Sequence, residues 1–124
     1  INNVDTSSIL QTNIFLGPDD EEEFMKNIMP NSVASRWTPL FADVNPKGQS
    51  KKVGIDVFCE QFGINIAETM AFGDGGNDIT MLKHVRTGIA MGNANPEVKQ
   101  IADFITDDVD NDGIWNALKH FKVL

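Results

Sequence analysis

The chain has 124 residues, of which 41% are hydrophobic, and its 18 acidic and 10 basic side chains give a net charge of −8. This length allows one ordinary domain or parts of two, with enough apolar residues for a packed core. The negative charge argues against nucleic acid as the main partner, and no apolar run approaches the roughly 20 residues of a membrane span. The single cysteine, Cys59, excludes an internal disulfide, favours a cytoplasmic location and is expected to be buried in a helix.

The first part of the chain predicts a small α/β unit. Alternating polar and apolar residues indicate strands, and a proline followed by acidic residues is typical of the start of a helix. The predicted elements are a strand over Ile9–Leu16, a helix over Asp20–Met29, and a hairpin of two strands over Ser32–Trp37 and Leu40–Val44 with its turn at Thr38-Pro39.

A polar, turn-forming segment follows, Asn45-Pro46-Lys47-Gly48, and it predicts a boundary between residues 1–44 and residues 45–124. A helix is then expected to begin at Ser50 or Gln49, with apolar side chains at helical spacing, and to stop at Gly63. Those apolar side chains are Val53, Val57, Phe58 and Phe62.

Predicted helices and short apolar strands alternate in the remaining residues. In chain order they are strand Met70–Phe72, helix Asp78–His84, strand Gly88–Met91, helix Pro96–Ile101, strand Asp103–Thr106 and helix Gly113–Phe121. Helices between short apolar strands are typical of a parallel, doubly wound α/β sheet.

A glycine-rich loop with two acids follows the strand Met70–Phe72. The sequence Gly73-Asp74-Gly75-Gly76-Asn77-Asp78 lets the backbone turn sharply at the carboxyl end of a strand, which is where open α/β sheets bind ligands. Asp74, Asn77 and Asp78 offer oxygen atoms of the kind that Mg²⁺ prefers. The sequence therefore predicts a magnesium site after this strand.

The pattern Gly-Asp-Gly-x-Asn-Asp followed by Met81-Leu82 resembles the fourth motif of the haloacid dehalogenase (HAD) phosphohydrolases, in the variant found in Cof-type sugar-phosphate phosphatases. The resemblance implies a Mg²⁺-dependent phosphohydrolase of small phosphorylated metabolites that works through an aspartyl-phosphate intermediate. It also implies that residues 45–124 are the closing part of a doubly wound HAD-like core. Residues 1–44 then correspond to the last part of its type-two α/β cap.

The resemblance also implies roles for individual residues. Asp74 is expected to bind Mg²⁺ directly, and Asp78 to hold a metal-bound water or a lysine without touching the metal. Asn77 is expected to donate its amide to a phosphate oxygen. Lys51 follows Gly48-Gln49-Ser50 at the spacing of the family's essential lysine, whereas its competitors Lys47 and Lys52 do not. A cation at the start of a helix opposes the helix dipole, so an anion is expected beside Lys51. The resemblance implies that this anion is the substrate phosphate together with the acidic nucleophile.

The segment Asn93-Ala94-Asn95 resembles the Gly-Asn-Ala segment of Cof-type proteins, and Asn93 is expected near the same edge of the sheet. Helix capping by Asn95 is the simplest interpretation of this segment.

An acidic run near the end of the chain imitates two other motifs. Asp108, Asp110 and Asp112 match ligand positions of a calcium-binding EF-hand loop, but Lys119 occupies the position that needs a bidentate glutamate. Asp110-Asn111-Asp112-Gly113 imitates the HAD nucleophile motif, but no apolar strand precedes it and no threonine follows. We predict that this run is a polar loop that caps the last helix.

The family's aspartate nucleophile, its acid/base aspartate and its second-motif Ser or Thr have no counterpart in this sequence. We therefore expect a carboxyl-terminal piece of a Cof-type phosphatase, inactive by itself, with those residues upstream of Ile1. The strand Met70–Phe72 would then be a sheet edge through which the chain could self-associate. Two alternatives stay open: the phosphorylation domain of a cation-pumping ATPase, and a non-catalytic interaction module with the HAD fold.

Overall fold

The computed structural model describes residues 9–124, in two compact units that divide between Gln49 and Ser50. The first unit contains β1 (Thr12–Ile14), α1 (Pro18–Ile28), β2 (Ser32–Thr38) and β3 (Phe41–Pro46). The second contains α2 (Lys51–Phe62), β4 (Met70–Gly73), α3 (Ile79–Leu82), β5 (Thr87–Ala90), α4 (Pro96–Lys99), β6 (Phe104–Ile105) and α5 (Gly113–His120). No helix within residues 9–124 is long and apolar enough to cross a membrane.

The first unit is a three-stranded antiparallel sheet in the order β1-β3-β2 with one helix. Alternate residues of β3, Ala42 and Val44, are buried because successive side chains of a strand point to opposite faces. Arg36 on β2 ties the helix to the sheet. Its guanidinium donates to Glu21 on α1 and, over 2.7 Å, to the backbone carbonyl of Leu16.

The strand limits in this unit differ from those predicted. The first strand covers Thr12–Ile14 and not Ile9–Leu16, because only these three residues pair with β3. The hairpin turn lies at Pro39-Leu40, since Thr38 still pairs with Phe41. A strand end is set by its partner, which the sequence pattern does not contain.

The division between the units also lies later than the predicted boundary at Asn45. Ser32 pairs with Pro46, and the backbone N–H of Lys47 donates to the carbonyl of Asn31 over 2.9 Å. These contacts extend the hairpin, so the turn that follows β3 belongs to the first unit.

The second unit is built on a parallel sheet in the order β4-β5-β6, which confirms the predicted α/β class. Leu82, Ile89 and Val98 are its largest fully buried side chains, and Ile79 and Met81 pack against the cluster that contains Leu82 and Val98. Because the strands are parallel, their carboxyl ends lie at one edge of the sheet. The segments that follow the three strands therefore come together there.

The predicted elements of this unit are all present but several are shorter. Helix α2 begins after Ser50 and ends before Gly63, as predicted. The predicted helix Asp78–His84 is a 3-10 turn over Gly76–Asp78 followed by α3, and β6 has only two residues.

The helical spacing of apolar side chains in α2 suggests a buried face, but most of that face is exposed. Val57, Phe58 and Phe62 are 61%, 57% and 63% exposed, whereas Cys59 is buried as expected. Strand β4 is the outer strand of the sheet in the described part of the chain. Helical periodicity identifies an apolar face, but it does not tell whether anything packs on it.

Candidate active site

The loop after β4 folds back over the end of its own strand. Gly73 ends β4, and a Cβ atom at that position would lie 2.6 Å from the Cβ of Asp78, closer than real Cβ contacts allow. Glycine is therefore required for this approach. The 3-10 turn that follows places Asp78 directly above the strand end.

Asp78 is a buried carboxylate with several hydrogen bonds. Its side chain is 6% exposed, and its Oδ2 accepts from the backbone N–H groups of Asp74 and Gly75, both over 3.1 Å. Its Oδ1 accepts from the ammonium of Lys51. Burial alone would raise the pKa of Asp78, but the hydrogen bonds from Lys51 and from the two backbone groups outweigh it and hold that pKa below its usual value.

Lys51 is presented by the first turn of α2. The Oγ of Ser50 accepts from the N–H of Val53 over 3.2 Å and so fixes where the helix begins. The Lys51 side chain is 50% exposed, so its ammonium contacts Asp78 on one side and remains accessible on the other. Of the three lysines considered above, Lys51 alone contacts this loop within residues 9–124, whereas Lys47 donates to the carbonyl of Pro30.

Asp74 and Asn77 are exposed on the outer side of the loop. Asn93 donates from Nδ2 to Oδ2 of Asp74 over 3.3 Å, while Oδ1 of Asp74 has no hydrogen-bond partner among the described residues. The Asn77 side chain likewise makes no hydrogen bond within the described residues. Both groups are available to a ligand.

The segment after β5 differs from its predicted role. The side chain of Asn95 does not cap α4, and its backbone N–H instead donates to the carbonyl of Asp74 over 3.0 Å. The contact between Asn93 and the Asp74 carboxylate was not predicted. In the sequence, only the expected position of Asn93 at this sheet edge could have indicated the contact.

The acidic run lies at the same sheet edge, after β6. Asp108 accepts from the N–H of Asp110 over 3.0 Å and caps a 3-10 turn over Val109–Asn111, while the Asp112 side chain does not cap α5. The predicted capping loop is therefore present, but it caps the 3-10 turn and not the last helix. Within residues 9–124, no group of three or more His, Cys, Asp or Glu side chains could hold a metal ion.

The donor set after β4 fits Mg²⁺ in a specific way. Mg²⁺ keeps several waters and uses only one or two carboxylates of a protein. Asp74 offers one exposed carboxylate with an unused oxygen, whereas both oxygens of Asp78 are engaged by Lys51 and the backbone. Asp74 is thus the carboxylate of this loop that could ligate the ion. Asp78 could contribute only indirectly, through its hydrogen bonds to the backbone of the loop.

Comparison with known proteins identifies the family and agrees with this fold. A family model described as haloacid dehalogenase-like hydrolase matches residues 1–118. The chain belongs to this family, and its named relatives include phosphatases, as the glycine-rich loop implies.

Particular relatives resemble the chain closely. "Putative phosphatase YkrA" of Bacillus subtilis is 49% identical over 105 residues, which cover 85% of this chain and 41% of YkrA. The structure of BT1666, a HAD phosphatase from Bacteroides thetaiotaomicron, matches with a TM-score of 0.89 at 45% identity. The match covers 95% of this chain and 44% of the BT1666 chain. The structure of BT4131, a HAD subclass IIB sugar phosphatase, matches with a TM-score of 0.84 at 47% identity. The match covers 93% of this chain and 44% of the BT4131 chain.

The chain thus spans less than half the length of these three proteins. The predicted HAD resemblance and the fold class are confirmed.

Proposed function

We propose that these residues serve a Mg²⁺-dependent phosphohydrolase of small phosphorylated metabolites, sugar phosphates being the favoured class, that acts in the cytoplasm through an aspartyl-phosphate intermediate. The observation that carries the proposal is the hydrogen bond by which Lys51 joins the start of α2 to the loop of Asp74 and Asp78. The sugar phosphatase BT4131 among the structural neighbours supports the substrate class. We assign the first unit, which ends at Gln49, to the end of a cap domain and the second unit, which begins at Ser50, to the end of a core domain.

Lys51 binds the phosphate in this proposal. Its ammonium has three hydrogens, one of which is directed at Asp78, and half of the side chain is exposed. The remaining hydrogens can bind phosphate oxygens, with the strength of hydrogen bonds between charged groups. The hydrogen bond to the buried Asp78 carboxylate fixes the direction of the ammonium.

Asp74 and Asn77 act on the outer side of the loop. Asp74 holds Mg²⁺ through its unused oxygen, and the bound ion would withdraw charge from the phosphoryl oxygens. Asn77 donates its exposed amide to one of those oxygens. Lys51, Asp74 with its bound ion and Asn77 would thus all stabilise the negative charge of a phosphate ester.

The attacking carboxylate belongs, in this proposal, to the part of the relatives that the chain does not match. Asp78 is unsuited to attack because its oxygens already accept hydrogen bonds from Lys51 and the backbone. Asp74 is occupied when it holds the metal ion. In this proposal a further aspartate of that part forms the bond to phosphorus as the bond from phosphorus to the alcohol oxygen breaks, and the acid/base aspartate of the same part gives the leaving alcohol its proton. Water then hydrolyses the aspartyl-phosphate, which releases phosphate and restores the carboxylate.

A hybrid protein tests this proposal. The part of YkrA that precedes its matched region is joined to residues 1–124, and hydrolysis of p-nitrophenyl phosphate is followed with and without MgCl₂. Asp74→Asn should abolish the Mg²⁺-dependent turnover. The same substitution at exposed Asp110 should leave turnover within about twofold, since surface changes are usually near neutral. A larger loss with Asp110→Asn would refute the assignment, and a hybrid without turnover would favour the non-catalytic module.

A further inference from the structure

We infer that Asn93 is a positioning residue that orients the Asp74 carboxylate for metal binding by linking three loops at the carboxyl edge of the parallel sheet. The inference rests on the proposed function of Asp74 as the magnesium ligand. It assigns a role to a side chain that lies outside the glycine-rich loop.

The Asn93 side chain uses both of its polar atoms between neighbouring loops. Nδ2 donates to Oδ2 of Asp74 over 3.3 Å, and Oδ1 accepts from the backbone N–H of Val109 over 3.2 Å. Asp74 follows β4, Asn93 follows β5 and Val109 follows β6. One amide therefore connects the ends of all three parallel strands.

The chemistry of the partners fixes the orientation of this amide. A backbone N–H can only donate, and an ionised carboxylate can only accept. The oxygen of Asn93 must therefore face Val109 and its nitrogen must face Asp74. The reversed amide would set donor against donor and acceptor against acceptor.

The backbone on each side of Asn93 is held in place. The N–H of Gly92 donates to the carbonyl of Asp107 over 2.9 Å, and the N–H of Asn95 donates to the carbonyl of Asp74 over 3.0 Å. A Cβ at Gly92 would lie 2.5 Å from the backbone nitrogen of Asp108, so the two loops touch at this point. Asn93 thus projects from a backbone that is already fixed toward both partners, as a supporting residue of a metal site requires.

The consequence falls on the Asp74 carboxylate. The hydrogen bond to Oδ2 restrains the rotation of the carboxylate and leaves Oδ1 available for the ion. Groups that hydrogen-bond a metal ligand in this way orient it, and their loss typically weakens metal binding about 10- to 100-fold. Because this hydrogen bond is long and exposed, we expect a change of about tenfold, at the lower end of that range.

Nuclear magnetic resonance of the 124-residue chain provides the test, with Mg²⁺ alone as the ligand. The dissociation constant is taken from the shift of the Asp74 amide during a MgCl₂ titration, and hydrogen exchange is measured at the Val109 amide. Asn93→Ala should raise the dissociation constant about tenfold and speed exchange at Val109. Asn95→Ala is the matched control, because the Asn95 side chain makes no hydrogen bond among the described residues, and it should change neither value.

The outcomes separate the inference from the proposed function. An Asn93→Ala chain with an unchanged dissociation constant, or with unchanged exchange at Val109, would overturn the inference while leaving Asp74 as the metal ligand. If Mg²⁺ fails to shift the Asp74 amide even in the unaltered chain, the metal assignment fails and the role of Asn93 fails with it.

Discussion

Lys51 and Asp78 are hydrogen-bonded although they lie 27 positions apart in the sequence. The contact joins the first turn of α2 to the loop that follows β4, so a cation lies beside the loop that we propose binds Mg²⁺. The Asp78 side chain is buried and that of Lys51 is half exposed. The pair therefore has an inner, structural side and an outer side that can receive an anion.

The first prediction compares two adjacent lysines in the hybrid with the YkrA segment. Lys51→Ala should lower kcat by about 100- to 1,000-fold, the usual effect of removing one group that stabilises the charge of a transition state. Lys52→Ala should have little effect, because Lys52 is exposed and makes no polar contact within the described residues. Steady-state kinetics with p-nitrophenyl phosphate measures both. Equal losses from the two variants would remove Lys51 from the site.

The second prediction concerns the pH dependence of stability. The pKa of Asp78 is lowered in the folded chain, so the unfolded chain binds more protons in acid. The stability that Asp78 contributes is present above its unfolded pKa of about 3.9 and is lost as the pH falls through the lower pKa of the folded chain. With Asp78→Asn, the unfolding free energy should therefore decrease less steeply as the pH falls below about 4.

Urea unfolding at a series of pH values measures this effect. The unaltered chain should lose unfolding free energy more steeply in acid than the Asp78→Asn chain does. Parallel curves for the two chains would mean that the Asp78 carboxylate gains nothing from its hydrogen bonds to Lys51 and the backbone.

The third prediction concerns the side of β4 that pairs with no strand among residues 9–124. The carbonyls of Thr69 and Gly73 accept from the N–H groups of Thr87 and Met91, so these carbonyls face β5. Because backbone groups alternate in direction along a strand, those of Met70 and Phe72 point away from β5. An apolar groove of 540 Å³ lies beside this edge, lined in part by Met70 and Phe58. We expect the 124-residue chain to self-associate through this edge, since an unpaired strand is a template for pairing.

Sedimentation velocity at increasing concentration measures the association. Met70→Lys should shift the chain toward monomer because charged residues discourage edge pairing. Ile105→Lys is the matched control on β6, at the opposite edge of the sheet, where Ile105 is already half exposed. Monomer at every concentration of the unaltered chain, or an equal effect of both variants, would contradict the prediction.

The order of helices and strands could be predicted from the sequence because its signals are local. The apolar residues of β4, the glycines after it and the acids that follow are contiguous, so they identify a strand, a turn and a ligand edge together. The lysine at position 51 was predicted by its spacing in a family pattern, and an anionic neighbour was expected from its place at a helix start.

The remaining features depend on contacts between distant segments. The hydrogen bond between Asn93 and Asp74 joins two loops, and no periodicity of either segment encodes it. The short β1 and the exposed face of α2 depend likewise on what pairs or packs with them. Capping was attributed to Asn95 from its position alone, whereas the loop geometry uses its backbone N–H instead.

The most direct test of the account is hydrolysis of p-nitrophenyl phosphate by residues 1–124 alone, with MgCl₂, beside the hybrid that carries the YkrA segment. The account predicts no more than trace turnover by the chain alone, because it assigns the metal ligand to Asp74 and phosphate binding to Lys51 of α2 but places the attacking carboxylate outside residues 1–124. It predicts that the hybrid recovers turnover. Robust hydrolysis by the 124-residue chain alone, lost on Asp110→Asn, would contradict the account and place the nucleophile in the acidic loop.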